Sequence, residues 1–241
     1  MRYSNNLNIM LKACEKAGNY ILRDFVELEN LQSNSKTAHK FTNSCYHRVK
    51  KIIIDDLMKF KPKYNFHFSD GEKIINDNDS EYHFTIFPIN GITNLCRANS
   101  DFVIAIALSF GGNFQDSQPI AVAINKIIPN EIFYCEKDFG AFKNNRRIKV
   151  AARQKEENIL VTNISDFKEF NAKNNSISTR NCGSKLLELA YLACNRLDFV
   201  SLKGISNYDL ILPFTLIATE AGAKNLSKDN KIIACGNEFI F

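Results

Sequence analysis

The 241-residue sequence has no tryptophan and is rich in Asn, Lys and Ile, a bias that fits an AT-rich genome and bears on no mechanism. No apolar run approaches the roughly 20 residues that a membrane-spanning helix requires. The N-terminus, Met1-Arg2-Tyr3-Ser4-Asn5-Asn6, has no continuous apolar stretch of signal-peptide length. A soluble, cytoplasmic protein with no membrane partner is the expectation. No C-x-x-C pair occurs among the seven cysteines, Cys14, Cys45, Cys96, Cys135, Cys182, Cys194 and Cys235, so no zinc or redox motif is indicated. Their odd number and apolar settings read as reduced core thiols. The four histidines, His39, His47, His67 and His83, form no i, i+4 pair and no H-E-x-x-H, which points to exposed or structural roles. There is no basic tail. The net charge of +5 and pI of about 8.7 are mild, compatible with an anionic ligand, loose nucleic-acid contact, or solubility alone.

What is present is apolar pattern. Hydrophobic residues make up 45% of the chain, enough to bury a sizeable core in one or two domains. Leu7, Met10, Leu11, Cys14, Ala17, Ile21, Leu22 and Phe25 recur at three- and four-residue steps, predicting a helix over roughly 5–28. A second helix is expected over 43–60, with Tyr46, Val49, Ile52, Ile53 and Leu57 inward. Asn43 or Ser44 would cap it, and Pro62 follows its end. The period then changes. Residues 102–110, 120–128 and 131–135 are rich in β-branched and aromatic residues and read as adjacent antiparallel strands, with Pro129-Asn130 as a hairpin turn. The last third alternates: a strand at 159–162, a helix at 183–196, a strand at 198–202, a helix at 209–221 closed by Gly222, and a strand at 232–235. Residues 76–82 and 167–178 read as polar loops.

Several ordered segments then carry a resemblance. Phe87-Pro88-Ile89-Asn90-Gly91-Ile92-Thr93-Asn94-Leu95 is similar to the metal loop D-P-I-D-G-T-T-N-F of the inositol monophosphatase family. Glu131-Ile132-Phe133-Tyr134 with Gly140-Ala141-Phe142-Lys143-Asn144 resembles the family's hairpin and G-A-x-x-N turn. Arg180, Gly183-Ser184 and Asp198 resemble its R-x-x-G-S helix and the strand after it. Tyr208-Asp209-Leu210 through Glu220-Ala221-Gly222-Ala223 resembles its W-D…E-A-G-G segment. The nearest flavour is the bacterial extragenic suppressor branch. The resemblance covers nearly the whole chain. It implies a layered α-β-α-β-α sandwich of the inositol monophosphatase / fructose-1,6-bisphosphatase type, α+β in its first part (1–145) and α/β in its second (146–241). It also implies a homodimer, a Mg2+ cofactor and a small phosphorylated substrate.

In that family, magnesium ions on the order of 4 Å apart bind a phosphate monoester and polarise the attacking water. Hard carboxylate oxygens hold them. Mapped by the resemblance, the metal ligands here would be Glu72, the Ile89 carbonyl and Asp209. The two loop aspartates are replaced by Phe87 and Asn90, so the metal site is expected to be degenerate. The glutamate motif falls on Ser69-Asp70-Gly71-Glu72-Lys73 in an unsettled register, with Lys73 a stand-in cation. Glu72 and Thr93 would be the catalytic pair, Ile92 replacing a family threonine. Gly91, Ile92, Thr93, Gly183, Ser184 and Asp209 would bind substrate. Each has a plainer reading beside it. Gly91, Thr93 and Asn94 suit a turn, Ser184 and Asp209 suit helix starts, and Glu220 suits a solvated face as well as a substrate-side acid. Two functions are therefore expected to compete: an impaired phosphatase, and a pseudoenzyme that binds transcription machinery (RNA polymerase) or RNA.

Overall fold

The computed structural model describes residues 3–151, 158–170, 176–228 and 231–237. Two long helices come first, α1 (Asn5–Asn30) and α2 (Ser35–Phe60). Ser4 caps α1 by accepting the Leu7 amide at 3.1 Å. Helix α2 begins well before the expected 43, because Asn34 accepts the Thr37 amide at 3.2 Å and starts it there. Ser44 is interior, its hydroxyl turned back onto the Lys40 carbonyl at 3.1 Å. Only Ala38 and Thr42 are buried in the first two turns, so their apolar period is too weak to read.

An eight-stranded sheet follows, built from β1 (Asn65–Phe68), β2 (Lys73–Ile74), β3 (Tyr82–Asn90), β4 (Val103–Phe110), β5 (Gln118–Lys126), β6 (Glu131–Glu136), β7 (Gly140–Lys143) and β8 (Arg146–Ile148). Its order is β2-β1-β3-β4-β5-β6-β7-β8, and α3 (Ile92–Cys96) lies between β3 and β4. The β1–β3 pair is parallel and every other pairing is antiparallel. The expected β4–β5–β6 meander is present, with Ile106 opposite Ala123 and Ala123 opposite Tyr134. Strand β3 is a finding of the structure: it runs from the end of the expected polar loop into the first four residues of the metal loop. Pro88, which has no amide to donate, sits where the β3–β4 register shifts between Phe87 and Asn90.

The second half holds β9 (Ile159–Val161), α4 (Ile164–Phe170), β10 (Ile177–Thr179), α5 (Lys185–Ala193), β11 (Phe199–Ser201), α6 (Tyr208–Ile211), a 3₁₀ turn (Leu212–Phe214), α7 (Thr215–Glu220), β12 (Lys224–Lys228) and β13 (Lys231–Gly236). Its five strands order as β10-β9-β11-β13-β12. The single helix expected over 209–221 is thus three short pieces. Pro213 sits in the 3₁₀ turn that divides them. Helix α7 closes as expected: Gly222, at φ +97°, lets its own amide reach the Thr219 carbonyl and the Ala223 amide reach that of Ala218, both at 2.9 Å. Helix α4 and strand β10 replace parts of the expected loop at 167–178, whose residues 171–175 lie outside those described.

Alternation along β4 shows how the layers are held. Ile104, Ile106 and Leu108 join one core with α1 and α2, while Val103, Ala105 and Ala107 join another with α5 and α7. Val200 and Cys235 extend that second core to the small sheet, whose opposite face packs Phe199 and Ala234 against Phe167 of α4. The layers run α1/α2, large sheet, α5/α7, small sheet, α4, the sandwich expected. All seven cysteines are free thiols, five of them buried. No helix among the described residues is long and apolar enough to cross a membrane.

Parallel pairing of β1 with β3 also brings together two histidines that sequence spacing keeps apart. His67 and His83 are both buried, with His67 Nε2 3.3 Å from His83 Nδ1. His83 Nε2 lies 3.1 Å from the Gly112 carbonyl, which only accepts, so this nitrogen carries the proton. With His83 Nδ1 as the acceptor, His67 Nε2 donates across this contact, and His67 Nδ1 is buried with no partner among the described residues. Burial, reinforced by His83 and Lys73, lowers the His67 pKa from 6.5 to about 4. Over that interval the unfolded chain binds a proton that the folded chain refuses. The stability His67 contributes is therefore whole above about pH 6.5 and drains as pH falls toward 4, a loss on the order of 3 kcal/mol. Urea midpoints measured across this range are expected to fall on acidification, and a His67→Gln variant is expected to show a shallower acid limb.

Candidate functional site

The sequence-predicted residues fall into two groups, one assembled and one dispersed. The assembled group is where the end of β3 meets the start of α5. Asn90 Oδ1 accepts from the Ser184 hydroxyl at 2.8 Å and from the Leu186 amide at 3.1 Å. Ser184 also caps α5, taking the Leu187 amide at 3.4 Å. Between them the backbone turns at Gly91, φ +93°. A Cβ there would stand 2.8 Å from the Asp101 carbonyl oxygen and 3.1 Å from Ser184 Cβ, so no larger residue fits. Asn94 Nδ2 donates to the Asp101 carbonyl at 2.6 Å and the Cys182 carbonyl at 2.7 Å, and Gly183 (φ +67°) packs directly on that amide. Asn90, Gly91, Asn94, Gly183 and Ser184 therefore form one interlocked junction in which Asn90 Oδ1, Asn94 Nδ2 and the Ser184 hydroxyl are all engaged. Ile92 and Thr93, on the first turn of α3, are exposed beside it.

Phe87 enters the second core. Its ring is 4% exposed and meets Phe214 edge-on, centroids 5.6 Å apart at 82°. Ile89, on the other face, is 4% exposed in the first core.

Glu72 is elsewhere engaged. The turn after β1 folds through Gly71 (φ +89°), and the Glu72 amide donates to Asp70 Oδ1 at 3.1 Å. Both carboxylates converge on Lys50 of α2, whose Nζ is 2.6 Å from Asp70 Oδ2 and 2.7 Å from Glu72 Oε2. The Lys50 side chain is 7% exposed, and its ammonium lies over the Phe68 ring at 4.3 Å. Burial raises the Asp70 pKa, but the hydrogen bonds from Lys50 and the Glu72 amide outweigh it and hold the carboxyl below its usual value. The cation at this turn is thus Lys50 and not Lys73, which is exposed on the edge strand β2. Lys50 carried a readable signal. It sits three residues before Ile53 and seven before Leu57, on the inward face of α2.

Asp209 is exposed in the first turn of α6 and has no hydrogen-bond partner among the described residues. The neighbouring Asn207 Nδ2 donates to the Ser69 carbonyl at 3.0 Å, tying this turn to the 69–72 turn. Asp209 itself lines a cavity of about 550 Å³ shared with Ser109, Phe114, Leu216 and Thr219, and neither Ile89 nor Glu72 lines it. Glu220 has a structural task, accepting the Asp138 amide at 2.9 Å and the Gly140 amide at 2.7 Å in the β6–β7 turn. Among the described residues no three His, Cys, Asp or Glu side chains are grouped to hold a metal ion.

A family model for the inositol monophosphatase family matches residues 3–234. The inositol-1-monophosphatase of Rhizobium meliloti is 30% identical over 100% of this chain and 94% of its own length. A protein named Nus factor SuhB from Vibrio cholerae is 27% identical over 90% of this chain and 83% of its own. The solved structure of extragenic suppressor protein SuhB from Bartonella henselae superposes with a TM-score of 0.79 at 28% identity, covering 99% of this chain and 96% of that one. With its five-layer architecture, its β3–α3 turn clamped on the start of α5, and a family match across nearly its whole length, this chain belongs to the inositol monophosphatase family.

Proposed function

We propose that this chain keeps the inositol monophosphatase scaffold without magnesium-dependent phosphate hydrolysis, and acts as a binding protein in contact with the transcription machinery. The observation that carries the first half is Phe87. Where the family loop has an aspartate, a ring is packed on Phe214 inside an apolar core. Magnesium needs oxygens in a near-octahedral shell at about 2.0–2.1 Å, and the residues present do not fit it. Phe87 supplies no oxygen. Asn90 Oδ1 already receives two donors. Asp70 and Glu72 are bound to an internal ammonium. Mg2+ drawn to those carboxylates would also face the Lys50 ammonium, and a divalent and a unit positive charge 4 Å apart repel by about 8 kcal/mol at an effective dielectric near 20. A catalytic role for Glu72 beside Thr93 gains no support from this arrangement, since Glu72 is held by Lys50.

The second half rests on relatives that carry the name Nus factor SuhB, the Vibrio cholerae protein among them. A rigid scaffold with a mild net charge of +5 is compatible with contacts to a nucleic-acid-bound assembly.

Four outcomes are expected. With inositol 1-phosphate and Mg2+, hydrolysis stays far below ordinary enzyme rates; a turnover of about 1 s⁻¹ or above overturns the reading. Asn90→Asp changes urea-unfolding stability by less than about 1 kcal/mol, because a carboxylate accepts the same two donors near a helix start. Phe87→Asp, by contrast, loses about 3–5 kcal/mol from burying a charge and emptying the ring's volume; equal stability of the two variants would discount the core role of Phe87. Finally, RNA polymerase subunits are expected to co-purify with the tagged chain at moderate salt. A preparation free of polymerase excludes the transcription contact, and RNA without polymerase shifts the assignment to RNA.

A further inference from the structure

The cavity beside Asp209 is built from both halves of the chain. The β4–β5 connection supplies Phe114 and Gln115, the end of β4 supplies Ser109, and α7 supplies Leu216 and Thr219. Its volume of about 550 Å³ is within the range of small-molecule sites.

The walls are fixed in place. Phe114 stacks on buried His67, centroids 3.8 Å apart and planes 17° from parallel. The connection behind it is tied by His83 to the Gly112 carbonyl at 3.1 Å, and by the Ser117 hydroxyl to the Phe114 carbonyl at 2.8 Å. On the opposite side Asn225 Nδ2 donates to Thr219 Oγ1 at 3.1 Å, and Cys235 Sγ donates to Asn225 Oδ1 at 3.0 Å. A cavity with walls already ordered loses little freedom when it is filled.

Its chemistry is one-sided. Among the described residues lining it, Asp209 is the one ionisable side chain, and no Lys, Arg or His joins it. The Ser109 hydroxyl, the Gln115 amide and the Asp209 carboxylate have no side-chain hydrogen-bond partner among the described residues. A phosphate ester would meet a carboxylate and no cation, so the cavity disfavours the substrate class of the family.

We infer that this cavity is a binding site for a small organic cation: an amine on an aromatic or alicyclic body, with a hydroxyl or similar polar group. The ammonium pairs with Asp209, the body lies against Phe114 and Leu216, and the polar group reaches Ser109 or Gln115. This site does not depend on the proposed loss of hydrolysis, which rests on Phe87 and Lys50.

Tyramine and 4-hydroxyphenylacetate share a ring and a hydroxyl and carry opposite charges, so they serve as probe and control. In titration calorimetry or protein-observed NMR, tyramine is expected to saturate the protein below about 10 mM, and 4-hydroxyphenylacetate to bind at least about tenfold more weakly. Asp209→Asn is expected to weaken tyramine by about tenfold. Thr219→Trp, on the exposed last turn of α7, should fill the cavity and abolish binding. Melting curves of the two variants confirm that they fold. No saturable tyramine binding, equal or tighter binding of the carboxylate, or indifference to both substitutions overturns the inference.

Discussion

The large sheet is covered on both faces, and that double burial governs what its central strands can carry. Strands β3, β4 and β5 lie between the α1/α2 layer and the α5/α7 layer, so consecutive residues enter opposite cores and neither face is open to water. A charge on such a strand needs a compensating partner inside an apolar core. Phe87 meets that constraint as a hydrocarbon would: opposite Ala105 in the β3–β4 pairing, it fills volume against Phe214. Asn90, three residues on, is at the strand's half-buried end, where its carbonyl oxygen can serve the α5 backbone and the Ser184 hydroxyl. Across the Phe87–Asn90 segment the polar contacts are thus made at the strand end and not within the core.

Two turns handle charge differently. At the 69–72 turn, two partly exposed carboxylates are balanced by one nearly buried ammonium from α2, which also rests on the Phe68 ring. The pairing answers the demands of both partners, since a buried ammonium requires acceptors and close carboxylates require a cation. At the 207–209 turn, Asn207 ties the backbone to Ser69 while Asp209 is left without a partner among the described residues, facing a cavity with no positive charge. These turns are linked through Ser69, yet their electrostatics are opposite, which is why one reads as closed and the other as able to accept a cation.

The buried His67–His83 pair joins this picture from the far end of β3. It anchors the β4–β5 connection through Gly112 and Phe114, so the same two buried rings of β1 and β3 also hold one wall of the cavity. Core burial, loop placement and cavity shape are coupled in this corner of the molecule.

Much of this was legible beforehand. The period of α1, the β-branched runs of β4 to β6 and the glycine stop after α7 reflect local physics, in which side-chain spacing and turn chemistry decide the backbone. The family's segments, in order, carried the layered fold with them. The early start of α2 and the existence of β3 were hidden, because few apolar residues mark the first and Pro88 and His83 blur the second. The substitutions Phe87 and Asn90 were visible as letters, but their roles were not. That Phe87 completes a core, that Asn90 clamps a helix start, that the inward-facing Lys50 meets Asp70 and Glu72 where Lys73 does not, and that two distant histidines touch were decided by tertiary structure. Each depends on which side chains from remote segments converge, and convergence is set by sheet order and layer packing, which spacing along one chain does not encode.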